Sequence, residues 1–322
     1  MPRSRLLLAA LVTVAACSSA ATGAEPGEMT TPPSTTTPST TAATAPSPPP
    51  TAETTTTTSV ATSPTTLPQP VEELLYEHWR GSFRYGADLR IDVHAPAERS
   101  VRPIAVLVHG GGWFGGRLDS MGYLADGLAE RGFVVFNATY RTIAQGGAFP
   151  GTVEDVACAV AYARAHALDY STSADHVTLI GHSAGAHLSA LVALAPGVFG
   201  TACEGGTEPL DAWVGLAGPY DTDTYAFLLP RFFGSTLTAD PDTWRSGNPF
   251  TYVEASGAGP QLLLVHGDAD ELVPLTMSEN FFLALDRAGA AVSLRVVPGA
   301  GHGEVNSPRI VGDLIADFVA GQ

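Results

Sequence analysis

Short apolar runs recur along the chain from residue 104 onward and predict the strands of a buried sheet. The runs lie at residues 104–108, 133–137, 177–180, 212–217, 262–265 and 292–297. Strands that are covered on both faces of a sheet have near-continuous apolar sequences of this kind. Residues 89–94 instead alternate apolar and polar positions, which predicts an early strand that is partly exposed.

Segments with helical spacing of apolar residues separate most of these runs. They cover residues 118–131, 150–167, 186–194, 275–288 and 308–319. Strands that alternate with helices favour the α/β class, with a mostly parallel, doubly wound sheet covered on both sides. In such sheets the functional groups collect in the loops after the carboxyl ends of the strands. The residues in those loops are therefore the candidates for chemistry.

The first seventy residues have a different character and predict export. Residues 1–16 join a basic start to an apolar stretch too short to span a bilayer, which is typical of a signal peptide. The small residues before Cys17 resemble the lipobox of bacterial lipoproteins, in which the cysteine receives lipid. Lipidation would anchor the protein to the cell membrane, facing outside; ordinary cleavage and free secretion is the alternative.

Residues 17–70 consist mainly of Thr, Pro, Ala and Ser, and they predict a disordered spacer because they cannot bury enough apolar surface to fold. Residues 71–322 have a globular composition and are expected to form one catalytic domain.

The charge balance argues against one class of partner. The chain carries 32 acidic residues against 16 basic ones, all of them arginines, for a net charge of −16. A surface of this sign repels phosphate backbones, so nucleic acid is excluded as an expected partner. No feature of the sequence points to an obligate protein partner.

The three cysteines divide by position. If Cys17 carries lipid, Cys158 and Cys203 remain as a pair in an oxidising compartment. That setting favours a disulfide between them. The alternative is a pair of buried free thiols.

The strongest candidate for chemistry is Ser183, in the pentapeptide G-H-S-A-G at residues 181–185. It stands between a predicted buried strand and a predicted helix of small residues. A serine on so sharp a turn is held in a strained backbone conformation with its hydroxyl presented to substrate. Alone, the pentapeptide also fits an ordinary loop; the strand before it and the helix after it favour a nucleophile.

A glycine-rich loop follows the strand predicted at residues 104–108 and reads H-G-G-G-W over residues 109–113. Consecutive glycines let backbone N–H groups turn toward a ligand without obstruction by Cβ atoms. The N–H groups of Gly111 and Gly112, together with that of Ala184, are expected to bind the oxyanion of a tetrahedral intermediate.

Candidates for an acid and a base follow two later strands. Asp268 and Asp270 come after residues 262–265, and His302 comes after residues 292–297. The chain order of serine, acid and histidine is that of an α/β-hydrolase triad. The histidine would take the serine proton, and the carboxylate would hold the histidine ring. By position alone, either aspartate fits the role of the acid.

Together these motifs resemble the esterase/lipase group of α/β-hydrolases that includes hormone-sensitive-lipase-like and feruloyl-esterase-like carboxylesterases. The resemblance covers nearly all of residues 85–322 and rests on segments 109–113, 138–141, 149–150, 154–155, 181–185, 266–274 and 301–302. It implies an α/β-hydrolase fold and a catalytic triad of Ser183, Asp270 and His302. The family pattern HG-x-x-D-x-x-VP selects Asp270 as the acid and leaves Asp268 as the alternative. Neither a cofactor nor a metal is expected.

Other polar residues near these motifs are expected to have structural roles. His109 should orient the glycine loop, and His182 and His187 should pack around the serine turn. Arg141 and Asp155 should anchor loops beneath the site.

Residues 218–252 form a short insertion rich in aromatic side chains. In proteins of the resembling group such an insertion is a cap that roofs the acyl pocket. The substrate pocket would then be lined by Tyr220 and Phe232 from the insertion and by Trp113 from the glycine loop.

The function predicted from the sequence is that of a serine carboxylesterase at the cell envelope, acting on a small-molecule ester through an acyl-enzyme. Within enzymes, the alternatives are an arylformamidase-like amidase and a polysaccharide deacetylase. From a different class, the alternative is a non-catalytic binding module on the same fold. The presence of serine, acid, base and glycine loop in one chain favours an enzyme.

Overall fold

The computed structural model describes residues 78–84, 89–98, 100–170, 172–203 and 208–321. All of them belong to the unit Gln69–Gln322. The predicted signal peptide, Cys17, the predicted spacer and residues 71–77 lie outside the described residues.

A single sheet of eight strands runs through the described residues. The strands are β1 (His78–Arg84), β2 (Arg90–Pro96), β3 (Ile104–Val108), β4 (Val134–Ala138), β5 (Val177–His182), β6 (Ala212–Leu216), β7 (Gln261–Gly267) and β8 (Val292–Val297). Their order across the sheet is β1-β2-β4-β3-β5-β6-β7-β8. Strand β2 pairs antiparallel with β1 and β4, and all the other neighbours are parallel. The predicted mostly parallel sheet is confirmed.

Helices cover both faces of this sheet. They are α1 (Asp119–Glu130), α2 (Gly151–Ala165), α3 (Ala184–Leu194), α4 (Pro230–Phe233), α5 (Pro241–Ser246), α6 (Thr276–Arg287) and α7 (Pro308–Ala320). Short 3₁₀ helices occur at Ile143–Gln145, Ala167–Tyr170, Thr222–Tyr225, Pro249–Ala258 and Glu304–Asn306. Each of the five helices predicted from spacing is present. No helix of the described residues is long and apolar enough to cross a bilayer.

Because helices cover both faces of the sheet, the central strands are apolar at nearly every position. Strands β3, β4, β5 and β6 are buried at every position. Alternate side chains of β3 enter opposite layers: Ile104 and Val106 pack with α2 and α3, whereas Leu107 packs with α1 and α7. The continuous apolar runs therefore predicted these strands correctly.

Strand β1 was not predicted. Its sequence, HWRGSFR, carries few aliphatic residues, and the strand lies at the edge of the sheet, where it pairs with β2 alone. An edge strand buries less surface than a central one, so it leaves a weaker pattern in the sequence. The other differences concern the ends of strands: β5 continues to His182 and β7 continues to Gly267.

The predicted disulfide between Cys158 and Cys203 is confirmed, with 5.1 Å between the two Cα atoms. It joins the middle of α2 to the segment that follows α3 and closes a sequence separation of 45 residues.

Removal of this disulfide is expected to lower the free energy of unfolding by about 4 kcal/mol, because a loop of this length restricts the unfolded chain. Urea unfolding of a Cys158→Ala/Cys203→Ala variant measures the change. A midpoint equal to that of the oxidised wild type would show that the bond adds no stability. Wild-type protein kept in reductant is the matched control, since it should lose a similar amount.

Candidate active site

Ser183 lies at the turn between β5 and α3 in a strained backbone conformation, with φ 54° and ψ −123°. A positive φ costs a residue with a Cβ about 1–3 kcal/mol, and such strain persists only where its surroundings impose it. The Ser183 N–H donates to the carbonyl of Leu216 at 2.8 Å, which ties the turn to the end of β6. Helix α3 begins at the next residue, Ala184, so its first N–H groups lie beside the serine.

The two glycines of the pentapeptide are needed for space. A Cβ on Gly181 would lie 2.3 Å from the Gly185 carbonyl oxygen, and one on Gly185 would lie 2.3 Å from the Val108 oxygen. The first contact is with helix α3 and the second is with the end of β3. The close crossing of strand and helix therefore requires glycine at both positions.

The glycine loop packs directly against this turn. A Cβ on Gly110 would come within 2.9 Å of the Ser183 Cβ atom. Gly111, Gly112 and Trp113 all have positive φ, at 126°, 60° and 63°. Within the described part of the chain, the N–H groups of Gly111 and Gly112 donate no hydrogen bond to a protein acceptor. Two unpaired donors beside the serine turn are what an oxyanion hole requires.

His109 supports the loop from beneath, as the sequence predicted. Its Nδ1–H donates to the Gly110 carbonyl at 2.7 Å, and its ring stacks on Tyr140 with 4.4 Å between centroids. The Tyr140 hydroxyl donates in turn to the His109 carbonyl at 3.0 Å. Burial lowers the pKa of the His109 ring. A buried imidazole of this kind, stacked on Tyr140 and bonded through Nδ1 to its own loop, is a support and not a general base.

A carboxylate and a histidine meet after β7 and β8. The His302 Nδ1–H donates to Asp270 Oδ2 at 2.8 Å, and the Asp270 side chain is fully buried. Asp268 points elsewhere, because its Oδ1 accepts from the Gly299 N–H at 2.6 Å. The geometry thus pairs Asp270 with His302 and assigns Asp268 to a loop contact.

Three donors hold Asp270 in its ionised form. Burial alone would raise the pKa of this carboxyl, but hydrogen bonds from the Val273 N–H, the His302 ring and the Leu272 N–H outweigh it. The pKa is therefore lower than usual. The two backbone donors lie 2.9 and 2.8 Å from Oδ1, which leaves Oδ2 for the histidine.

His266 is a neighbour of this pair that the motif analysis did not single out. Its Nε2 lies 3.2 Å from Asp270 Oδ2 and 2.9 Å from the Val273 carbonyl oxygen. Its Nδ1 lies 2.7 Å from the Ser278 hydroxyl. The signal in the sequence was its place as the first residue of the HG-x-x-D-x-x-VP pattern, at the strand end and four residues before Asp270.

His182 connects the serine turn to the histidine loop. Its Nε2–H donates to the His302 carbonyl at 2.9 Å, and the two rings lie 4.9 Å apart. Because His182 directly precedes Ser183, this bond holds the Ser183 turn and the His302 loop together. Burial lowers the pKa of His182 to about 4. Ser183, Asp270 and His302 thus gather at the carboxyl ends of β5, β7 and β8.

The predicted pocket residues fall in two different places. Trp113 and Phe232 lie together, with ring centroids 6.3 Å apart, and Tyr225 lies 6.2 Å from Trp113. Tyr220 is equally buried but lies elsewhere in the same core, where its ring stacks on Phe281 at 4.4 Å. Tyr225 therefore takes the place beside Trp113 that the sequence analysis gave to Tyr220.

Arg141 and Asp155 form the expected anchor below the site. The Arg141 Nε and backbone N–H donate to Asp155 Oδ2 at 2.8 and 2.9 Å, and its guanidinium also donates to Oδ1 at 2.6 Å.

In the described residues, no group of three or more His, Cys, Asp or Glu side chains is arranged to hold a metal ion.

Two buried histidines are expected to make the protein less stable in mild acid. Burial lowers the pKa values of His182 and His187 to about 4, whereas an unfolded histidine titrates near about 6.5. Between these values the unfolded chain binds more protons, so the free energy of unfolding falls as pH drops from 6.5 toward 4, by up to roughly 3 kcal/mol per histidine.

Urea unfolding between pH 7 and pH 5 measures this loss, with His187→Gln as the matched variant. The variant should show a shallower dependence on pH than the wild type. Parallel curves for the two proteins would show that folding does not lower the pKa of His187.

Comparison with known proteins agrees with this geometry. The model of the BD-FAE family matches residues 91–285. Esterase LipQ of Mycobacterium tuberculosis is 30% identical over 244 residues, which cover 70% of this chain and 56% of LipQ. A probable isoprenylcysteine alpha-carbonyl methylesterase of Oryza sativa is 28% identical over 66% of this chain and 54% of its own length. The chain thus spans about half the length of the curated relatives it matches.

Solved structures share the fold. A truncated carbohydrate esterase from gut microbiota superposes with a TM-score of 0.66 at 24% identity, covering 78% of this chain and 98% of that one. A butyrate-bound esterase of Thermogutta terrifontis gives a TM-score of 0.62 at 20% identity, covering 75% of this chain and 94% of that one. These likenesses confirm the predicted α/β-hydrolase fold.

Proposed function

This chain belongs to the BD-FAE family, and from that premise we propose that it is a serine carboxylesterase acting through an acyl-enzyme on Ser183. The observation that carries the proposal is the pairing of His302 with a buried, ionised Asp270 beside the strained turn of Ser183. The names of relatives support an ester as the substrate, since they include esterases and methylesterases.

In the proposed acylation, the Ser183 Oγ attacks the ester carbonyl carbon and His302 Nε2 takes the hydroxyl proton. Asp270 accepts the Nδ1–H of the same ring, which leaves Nε2 free to act as a base and stabilises the imidazolium that forms. The negative oxygen of the tetrahedral intermediate is bound by the N–H groups of Gly111, Gly112 and Ala184. Collapse of the intermediate breaks the C–O bond, and His302 donates its proton to the departing alcohol.

Deacylation repeats these steps with water as the nucleophile. His302 takes a proton from the water that attacks the acyl-enzyme carbonyl, and then returns it to Ser183 Oγ as the carboxylic acid leaves. No cofactor enters either half of this reaction.

The proposed acyl group is small, because aromatic rings crowd the space beside the glycine loop. Trp113 is flanked by Tyr225 and Phe232, and Phe232 packs in turn on Phe149 and Phe233. Rigid rings packed on one another leave little room for a long acyl chain to enter.

Deacetylation of a carbohydrate is the second candidate function, and the likeness to a carbohydrate esterase favours it.

A panel of substrates tests these proposals. We expect hydrolysis of p-nitrophenyl acetate and butyrate, much slower hydrolysis of the octanoate, and labelling of the wild type by a fluorophosphonate probe. A clear preference for an aryl formamide would make the protein an amidase, and a preference for an acetylated oligosaccharide would favour the deacetylase. If folded wild-type protein is not labelled by the probe and hydrolyses no member of the panel, the proposal that it is an enzyme is wrong.

We further propose that the protein is exported and held at the outer face of the cell membrane by lipid on Cys17. The support is the leader of residues 1–16 and the small residues before that cysteine. In a bacterial host the wild type should partition into the detergent phase of a membrane extract, whereas Cys17→Ala should not. Equal partition of the two proteins into the aqueous phase would favour free secretion.

A further inference from the structure

His187 lies one helical turn after Ser183 and bonds to two parts of the site at once. The Trp113 Nε1–H donates to His187 Nδ1 at 3.0 Å. The His187 Nε2–H donates to the carbonyl of Gly247 at 2.9 Å. The histidine is fully buried, and its ring meets the Trp113 ring edge-on at 5.4 Å between centroids.

Only one form of the ring satisfies both bonds. The indole N–H is a donor, so Nδ1 must be an unprotonated acceptor, and the Gly247 carbonyl is an acceptor, so Nε2 must carry a hydrogen. Protonation would place two N–H groups against each other at Trp113. Burial, which lowers the pKa of His187, keeps the ring in the neutral form that the two bonds need.

The two partners belong to two segments that are far apart in the chain. Trp113 directly follows Gly111 and Gly112 and itself has a positive φ of 63°. Gly247 lies in the insertion, just after α5, where a Cβ would come within 2.2 Å of the Phe233 ring. His187 is therefore the direct polar link from the helix of the nucleophile to both the glycine loop and the insertion.

We propose that His187 is a positioning residue that locks the Trp113 side chain, and through it the glycine loop, against the aromatic insertion. The inference rests on the proposed esterase function, in which Trp113 walls the acyl pocket. With its only donor bonded to His187, the indole presents no polar atom to the acyl chain. Loss of the link would free Trp113 to rotate and would let Gly111 and Gly112 drift from the position that the oxyanion occupies.

Three substitutions at His187 and one at Trp113 separate the two bonds. His187→Leu removes both of them. His187→Asn places an amide oxygen close to the Nδ1 position, so it keeps the acceptor for Trp113. His187→Gln places an amide nitrogen close to the Nε2 position, so it keeps the donor for Gly247. Trp113→Phe removes the indole donor and retains an aromatic ring.

With p-nitrophenyl butyrate, His187→Leu should lower kcat by about 10- to 100-fold with a smaller change in KM, since displacement of transition-state groups by about 1 Å costs this much. His187→Asn should restore most of kcat, whereas His187→Gln should restore thermal stability but not kcat. The double variant with Trp113→Phe should be no worse than the more severe single variant, because both break the same bond.

Two controls match these variants in chemistry. Trp244→Phe removes a buried indole N–H that donates to the Ser235 carbonyl, and His166→Leu removes a histidine at the end of α2. Both should leave kcat within about 2-fold of the wild type, because neither residue contacts Trp113.

The NMR signals of the indole N–H protons provide a test that does not depend on activity. The Trp113 signal is identified by its loss in Trp113→Phe. Its chemical shift should move upfield in His187→Leu, because the hydrogen bond is lost, and return toward the wild-type value in His187→Asn. A Trp113 signal unmoved in His187→Leu, or equal kcat losses in the Asn and Leu variants, would overturn the inference. Failure of the proposed function would look different: wild-type protein would not be labelled at all, while the resonance test would still report on the link.

Discussion

The Ser183→Ala variant is expected to lose about 10⁵–10⁶-fold in kcat toward p-nitrophenyl esters, because the acyl-enzyme can no longer form. Its residual activity should come from substrate binding and from the N–H donors of Gly111, Gly112 and Ala184. The fold should survive, since the small Ser183 hydroxyl gives way to hydrogen and the backbone contact to Leu216 is retained. Rates of ester hydrolysis and fluorophosphonate labelling measure the loss.

Ser120→Ala is the control for this experiment, because Ser120 is an exposed serine whose hydroxyl donates only to the Arg117 carbonyl. It should label and turn over like the wild type. If Ser183→Ala is labelled as strongly as the wild type, another residue is the nucleophile.

A Ser183→Gly variant should have a free energy of unfolding about 1 kcal/mol higher than that of the wild type, because glycine adopts a positive φ without strain.

The Asp270→Asn variant is expected to lose about 10³–10⁴-fold in kcat, because an amide can donate to His302 and so reverse its tautomer. With the hydrogen on Nε2, the ring could no longer accept the proton of Ser183. The Leu272 and Val273 N–H groups can still donate to the oxygen of the introduced amide, so the loop should keep its shape.

Asp268→Asn is the matched comparison, two residues away and of the same chemistry. Its Oδ1 accepts from the Gly299 N–H, so an amide oxygen can replace it, and kcat should change by less than about 3-fold. Rates for the two variants, with thermal unfolding of each, decide the assignment. A larger loss in Asp268→Asn would transfer the role of the acid to Asp268.

Most of the fold could be predicted because a strand that is buried on both faces has a continuous apolar run in its own sequence. Strand β3 was predicted at its observed bounds, since all five of its residues are apolar and buried. Strand β1 has no such run, because it pairs on one side only and its sequence mixes charged, polar and aromatic residues. The other edge strand, β8, was predicted although it is partly exposed, because valine and leucine fill four of its six positions.

The sequence by itself determined the serine turn and the order of the chemical groups along the chain. A strand-turn-helix with glycines on both sides of Ser183 is a local structure, so the residues that need one another are adjacent. The disulfide also followed from the sequence, since only Cys158 and Cys203 remained to pair once Cys17 was set aside.

Tertiary structure paired Asp270 with His302, the choice that the family pattern had indicated over Asp268. It alone placed Tyr220 against Phe281 and joined Trp113 to His187 and His187 to Gly247. The hydrogen bonds among these contacts join segments that lie 31 to 74 residues apart in the chain. The direction of a side chain at the end of a strand depends on the backbone of the loop and on what packs against it. The spacing of residues in the sequence specifies neither the loop backbone nor the packing against it. The hydrogen-bond partner of each polar atom is therefore known only from the assembled structure.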